Sequence, residues 1–113
     1  MKKYCFFFAL ILSLSLLATT AGCKSNKSNL SAQDYNQLGI SLANQGKYED
    51  AVAAYTRAIQ LNSQDAQFYV NRGTAYLNMK QFDRAIADFD QAIKLAPNLG
   101  EAYAGRGDAY ANK

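Results

Sequence analysis

Shifted by 34 residues, this chain lands on itself. Tyr35, Tyr69 and Tyr103 coincide, as do Gly39, Gly73 and Gly107, and then Leu42, Tyr76 and Tyr110. Ala51 falls on Ala85, Tyr55 on Phe89, Ala58 on Ala92 and Leu61 on Leu95. A fixed period of this length means stacked supersecondary units, each too small to bury its own apolar face. The repeat therefore points to a binding scaffold, and nothing in it names a ligand.

Within each period the apolar spacing is helical. Tyr35, Leu38, Gly39 and Leu42 recur on one face. After Gln45-Gly46-Lys47, a second run follows through Tyr48, Ala51, Val52, Tyr55, Ala58 and Ile59. The next unit repeats this with Tyr69, Gly73, Tyr76 and Leu77, turns at Met79-Lys80-Gln81, and continues Phe82, Ala85, Ile86, Phe89, Ala92 and Ile93. Each unit thus reads as two antiparallel helices joined by a short turn, and the fold class is all-α.

End signals agree. Ser31 and Asp34 have capping-box spacing, and Asp65 stands one period later. The third start has Leu99 in that slot, with Asn98 and Glu101 offering a cap shifted by one residue. Pro97, the single proline, marks a helix that has already ended. Glycine inside a helix costs about 1 kcal/mol relative to alanine, so three at one register need a reason. Gly39 and Gly73 each lie twelve residues before an alanine. That spacing predicts close backbone approach within a unit, with Tyr55 and Phe89 filling the seam between units. These aromatics read as core rather than as a cofactor site.

These residues resemble the tetratricopeptide repeat family from Ala32 to Lys113. The resemblance rests on Leu38-Gly39, Leu42, Gly46, Tyr48, Ala51, Tyr55 and Ala58 in the first unit. The second supplies Arg72-Gly73, Tyr76, Phe82, Ala85, Phe89, Ala92 and Pro97, and the third Arg106-Gly107 and Tyr110. Ser63 departs from the pattern where Pro97 keeps it, and tyrosine stands for the family's frequent tryptophan near each start. The resemblance implies a right-handed helical-hairpin solenoid over 31–113. Its repeats would run about 32–65, 66–99 and a partial 100–113, two full units plus the first helix of a third. First helices in this family line a concave groove for peptides or partner proteins. Projected here, that face holds Gln33, Asn36, Gln37, Ile40 and Asn44, then Gln67, Val70, Asn71, Thr74 and Asn78. Glu101, Ala104, Gly105, Asp108 and Asn112 complete it.

This lining is neutral and amide-rich, and amides both donate to and accept from the main chain of an extended peptide. The family's carboxylate clamp uses lysine, arginine and asparagine. Only Asn71 matches it, while Glu101 and Gly105 occupy cationic slots, so that specialisation is excluded. Asn44, Asn78 and Asn112 form a ladder, one per unit, but each ends its helix, where asparagine is expected as a left-handed cap. Arg72 and Arg106 are expected to pack their stems beside the glycines and reach a neighbouring carboxylate.

The first residues speak to location. Lys2 and Lys3 precede an apolar run from Tyr4 to Ala18, then small residues and Cys23. Residues 1–22 have the order of a secretory signal. Thr20-Ala21-Gly22-Cys23 resembles a bacterial lipoprotein signal, implying diacylation of Cys23 and cleavage before it. Retained instead, Tyr4 to Gly22 would barely cross a bilayer core, which needs about 20 apolar residues. Residues 23–30, with Lys-Ser-Asn doubled, read as a flexible tether reaching roughly 15 Å. The resemblance implies an extracytoplasmic protein of the bacterial envelope, lipid-anchored to the membrane. Lys24 does not carry the inner-membrane retention signal.

Composition excludes several classes. The formal charge of +3 falls to +1 without Lys2 and Lys3, and Arg57, Arg72, Arg84 and Arg106 lie on different helices, so no nucleic-acid footprint forms. With Cys5 in the signal and Cys23 acylated, no disulfide or catalytic thiol is expected. The chain has no histidine, and Asp88 and Asp90 lie about 200° apart on a helix. No enzyme, metal or cofactor is expected, but a membrane-anchored adaptor for a peptide or partner protein. The alternative is a fragment of a longer repeat protein that needs a partner or self-association through its last helix. That helix is otherwise expected to cap the stack with Tyr103 and Tyr110.

Overall fold

A computed structural model describes residues 29–113. The expected signal segment, Cys23 and the first part of the tether lie outside the described residues. Ser31–Lys113 form one compact unit of five helices. These are α1 (Ala32–Asn44), α2 (Tyr48–Leu61), α3 (Ala66–Asn78), α4 (Phe82–Leu95) and α5 (Gly100–Asn112). α1 pairs with α2, α3 with α4, and α5 lies on α4. The chain is an all-α stack of two helical hairpins and one further first helix.

The first start follows its sequence signal closely. The Asp34 amide donates to Ser31 Oγ at 3.1 Å, while the Ser31 amide donates to the Asp34 carboxylate at 2.9 Å. The Ser31 amide, and then the Ser31 hydroxyl that donates to the same carboxylate at 2.8 Å, hold the Asp34 carboxyl below its ordinary value of 3.8. A depressed carboxyl contributes stability above the unfolded value and loses it as pH falls through the folded one. Protection of the first-turn amides of α1, relative to their intrinsic exchange, is therefore expected to fall as pH drops below about 3.8, with Asp34→Asn abolishing that pH dependence. Asp65 caps α3 by accepting from the Gln67 amide at 3.0 Å.

The third start departs from expectation. Its N-cap is Leu99, with no side-chain cap bond, so Asn98 and Glu101 do not form the shifted cap. Leu99 packs against the core around Phe89, and that anchorage sets where α5 begins. The expected left-handed asparagines are also corrected. Among the described residues those with positive φ are Gly46 (79°) and Lys80 (62°), each two residues past the asparagine. Both turns end α1 and α3 with paired bonds. The Lys47 amide donates to Leu42 O and the Gln81 amide to Tyr76 O, each at 2.9 Å. Asn78 Nδ2 and Asn112 Nδ2 instead donate back to carbonyls four residues earlier, at 2.9 and 2.8 Å.

Tyrosine near each start has a specific use. Tyr69 Oη donates to Ser63 O at 3.2 Å, and Tyr103 Oη to Pro97 O at 2.8 Å. Both tie a first helix to the linker before it. Only a carbonyl is needed from that linker position, so serine and proline serve equally.

The glycines work differently from the expected backbone contact. A Cβ on Gly39 would lie 2.5 Å from the Tyr55 ring, so this glycine receives a ring within its own unit rather than the Ala51 backbone. Phe89 does bridge units. A Cβ on Gly73 would meet it at 3.1 Å and one on Gly105 would overlap it. Phe89, Ala85 and Ala92 are fully buried there with Ala102 and Ala109 of α5. α5 thus docks through Ala102, Gly105 and Ala109. Tyr103 and Tyr110 remain 43% and 58% exposed, contrary to the expected capping role. Small residues were the only ones that fit beside a ring already wedged between two helices.

A pair of alanine substitutions checks this packing. Gly105→Ala forces its methyl into Phe89 and should destabilise by about 1–3 kcal/mol. Apart from its chain neighbours and the backbone of its own helix, no described atom lies within 4 Å of the place a Gly107 methyl would occupy. Gly107→Ala should therefore stabilise by up to about 1 kcal/mol through helix propensity. Urea unfolding should show opposite shifts of midpoint for these two neighbours.

Candidate functional site

Helix repetition brings one face of α1, α3 and α5 around a shallow cleft of about 290 Å³. Ile40 and Asn44 enter from α1, Val70, Asn71, Thr74 and Asn78 from α3, and Glu101 from α5. Gln33, Gln37, Gln67, Asp108 and Asn112 do not line it. Gln33 and Gln37 are exposed on α1, and Gln67 Nε2 donates to Asn71 Oδ1 at 3.2 Å. Gly105 faces Phe89 rather than the cleft, and Ala104 is exposed without lining it.

Asn36 has another role. It is buried, and its Oδ1 accepts from Asn71 Nδ2 at 2.8 Å, joining α1 to α3. A buried amide acceptor is costly unless bonded, so this link fixes how the Asn71 amide is presented. Gln67 holds the same amide from one turn earlier. Asn71 is thereby oriented from two sides at the cleft floor.

Four lining residues were missed: Ala43, Tyr48, Tyr55 and Ala75. Tyr48 and Tyr55 belong to α2, which periodicity assigns to the core. Their rings pass between α1 and α3, and only the assembled stack shows that their edges reach the cleft. Tyr55 is buried, and desolvation pushes its phenol up from 10.0, so it stays a neutral hydroxyl. The alanines leave room rather than adding chemistry. Glu101 is the one charged residue in the lining.

Two larger hollows are structural notches. One of about 470 Å³ is lined by Lys80 to Arg84 with Lys113, and one of about 310 Å³ by Gly46 to Asp50 with Met79. They lie one repeat apart, residue for residue, beside the hairpin turns. A hollow that recurs with the period, walled by exposed turn residues, follows from stacking itself. Size alone does not make either one the site.

The arginines pair as expected. Arg72 Nε and Nη2 donate to the two Asp88 carboxylate oxygens, both at 2.8 Å, and Arg106 Nη1 donates to Asp90 at 2.8 Å. Asp88 and Asp90 serve different arginines. Among the described residues no cluster of three or more histidine, cysteine or acidic side chains could hold a metal. No described helix is long and apolar enough to cross a membrane.

Comparison with known proteins places this architecture. The tetratricopeptide repeat profile matches residues 36–99 and 70–113. No curated protein matches the sequence. Among solved structures, the TPR domain of Arabidopsis OM64 is 30% identical with a TM-score of 0.70. The match covers 71% of this chain and 66% of that one, slightly under two thirds. The second TPR domain of human RPAP3, solved with the HSP70 peptide SGPTIEEVD, is 34% identical with a TM-score of 0.70, covering 72% and 68%. The second TPR of Spaghetti (RPAP3), bound to the HSP90 peptide SRMEEVD, is 32% identical with a TM-score of 0.71, covering 78% and 82%. With its profile match over more than half the sequence and five helices in the same arrangement, the chain belongs to the tetratricopeptide repeat family.

Proposed function

We propose that this chain is a non-catalytic adaptor, anchored to a bacterial envelope membrane through Cys23, whose cleft holds an extended segment of a partner protein. The observation that carries the cleft reading is the Asn71 amide, held by Asn36 and Gln67 at the floor of an open groove. A pre-oriented amide pairs with a peptide main chain without first losing rotamer freedom. Thr74 and Asn78 extend the polar line, while Ile40 and Val70 supply apolar contact. Peptide complexes of the RPAP3 domains support the general mode, since those domains hold short segments. Their ligands end in acidic residues. The lining here offers Glu101 and no lysine or arginine, which favours a segment without that acidic ending.

Two measurements test the reading. A photo-crosslinker at position 74, in the full chain in native membranes, should attach to a discrete partner. Asn71→Ala and Asn78→Arg should reduce that product at least fivefold without changing the helical circular dichroism. An unchanged product would show that the cleft does not hold the partner. Separately, the chain should incorporate a labelled fatty acid that Cys23→Ser abolishes, and a signal-peptidase inhibitor should shift the gel band of the native chain. No label on the native chain would remove the lipid anchor and leave the cleft reading standing.

A further inference from the structure

The two rings that fill the stack differ by one hydroxyl. Phe89 lies against Gly73 of α3 and Gly105 of α5. Tyr55 lies against Gly39 of α1 and packs with Ala75 of α3, and the place one period before Gly105 is Asn71. The ring without a hydroxyl thus goes with a glycine on the following first helix, and the ring with one goes with an amide. Packing alone does not ask for the oxygen, since Phe89 fills its seam fully buried. A hydroxyl taken out of water without a partner is a cost to the fold.

Tyr55 is only 3% exposed, and its hydroxyl bonds no described residue; burial alone shifts the phenol. Among the described residues no sealed side-chain oxygen or nitrogen lacks a partner, so this hydroxyl is not closed off in the core. Of the three hollows, the cleft alone has Tyr55 in its wall. The hydroxyl therefore opens onto the cleft, where Asn71 also lies. Asn71 Nδ2 gives one hydrogen to Asn36, and Oδ1 takes one from Gln67. One N–H and one lone pair of that amide bond no described residue.

We infer that Tyr55 and Asn71 form a subsite for a primary carboxamide, the glutamine or asparagine side chain of the segment held in the cleft. A carboxamide needs a donor for its oxygen and an acceptor for its N–H, and the Tyr55 hydroxyl with the Asn71 amide supplies both. A carboxylate would use the two donors but find no cation in the lining, and it would face Glu101. An ammonium would leave both donors idle and lose hydration at the floor. An apolar side chain would leave hydroxyl and amide unbonded together. Ile40 and Val70 give the methylene stem its apolar contact. This subsite rests on the reading of the cleft as a peptide groove and adds which side chain is recognised there.

The probes are capped pentapeptides, Ac-Ala-Ala-X-Ala-Ala-NHMe, whose methylamide end avoids a second primary carboxamide. They are titrated into the isotope-labelled full chain in detergent micelles and read from the Asn71 side-chain NH2 signal. With X as glutamine or asparagine, the better of the two should bind about fivefold more tightly than glutamate or methionine at X. Tyr55→Phe should erase that preference and leave the methionine peptide's affinity unchanged. It should also melt no lower than the native chain, because phenylalanine already serves in the next unit. A lower melting point would mean that the hydroxyl is spent inside the fold, which overturns the inference. Equal affinity for the carboxamide and methionine peptides would overturn it too, and leave the groove standing. An Asn71 signal unmoved by every peptide up to about 10 mM would also sink the subsite, and crosslinking at position 74 then decides the groove itself. Asn26→Ala with Asn29→Ala covers the chain's own tether as occupant. If that double variant moves the Asn71 signal without peptide, the subsite serves the tether and the assignment to a partner is overturned.

Discussion

Phe89→Ala is expected to lower the thermal unfolding midpoint by roughly 15–30 °C, the largest effect of any single substitution in the stack. The ring is fully buried and sits between the Gly73 backbone of α3 and the Gly105 backbone of α5. Removing a buried phenylalanine side chain costs about 3–5 kcal/mol, transfer and cavity together. A domain of this size holds only about 4–12 kcal/mol in total. Neither neighbouring helix can collapse into the gap easily, because α3 is held by α2 and α4 while α5 rests on α4. The loss should also uncouple α5, whose amides should exchange faster than those of α1. Circular dichroism melting is sufficient to read the main effect. A shift below about 5 °C would mean that the ring does not join the second and third units.

Asp88→Ala should follow, costing about 2–3 kcal/mol. The full penalty for orphaning a buried charge is higher, but the Arg72 side chain keeps 19% of its surface in water, against 7% for Asp88. Thr56 and the rings of Tyr69 and Tyr76 would be left as its partners. The bonds it donates to Asp88 raise the guanidinium above its already high ordinary value, so Arg72 stays charged at every working pH and cannot escape by losing its proton. The first unit suggests the compensating change, since it holds Leu38 and Ala54 at these positions. Arg72→Leu combined with Asp88→Ala should recover most of the lost stability. If the double variant is worse than Asp88→Ala alone, then the pair is not a self-contained replacement for its apolar counterpart. Urea unfolding of the three proteins measures the coupling.

Much of this architecture was legible in the residues. The helices, their turns and the Ser31–Asp34 and Asp65 caps follow from local spacing, because a helix pairs its backbone within four residues. Local rules failed where a distant residue intervened. Leu99 took the third N-cap slot because its side chain is drawn into the core around Phe89. Asn36 looked like a groove residue and proved to be a buried link, since its partner lies 35 residues away. Tyr103 and Tyr110 looked like capping core, yet Ala102 and Ala109 made the contact. Helical spacing places both sets on α5 but not which side meets α4.

By itself, then, the order of residues determined that this chain is a repeated helical hairpin, and where each helix begins and ends in nearly every case. Those outcomes depend on hydrogen bonds and side-chain periodicity confined to a few turns. Only the tertiary structure decided which asparagine is spent inside the stack and which faces the cleft. It also decided that Phe89 occupies the space left by two glycines, while Gly107 receives no ring from the described residues. The reason is physical: side-chain packing is settled among helices far apart in the chain, where a difference of one methyl group determines which neighbour fits.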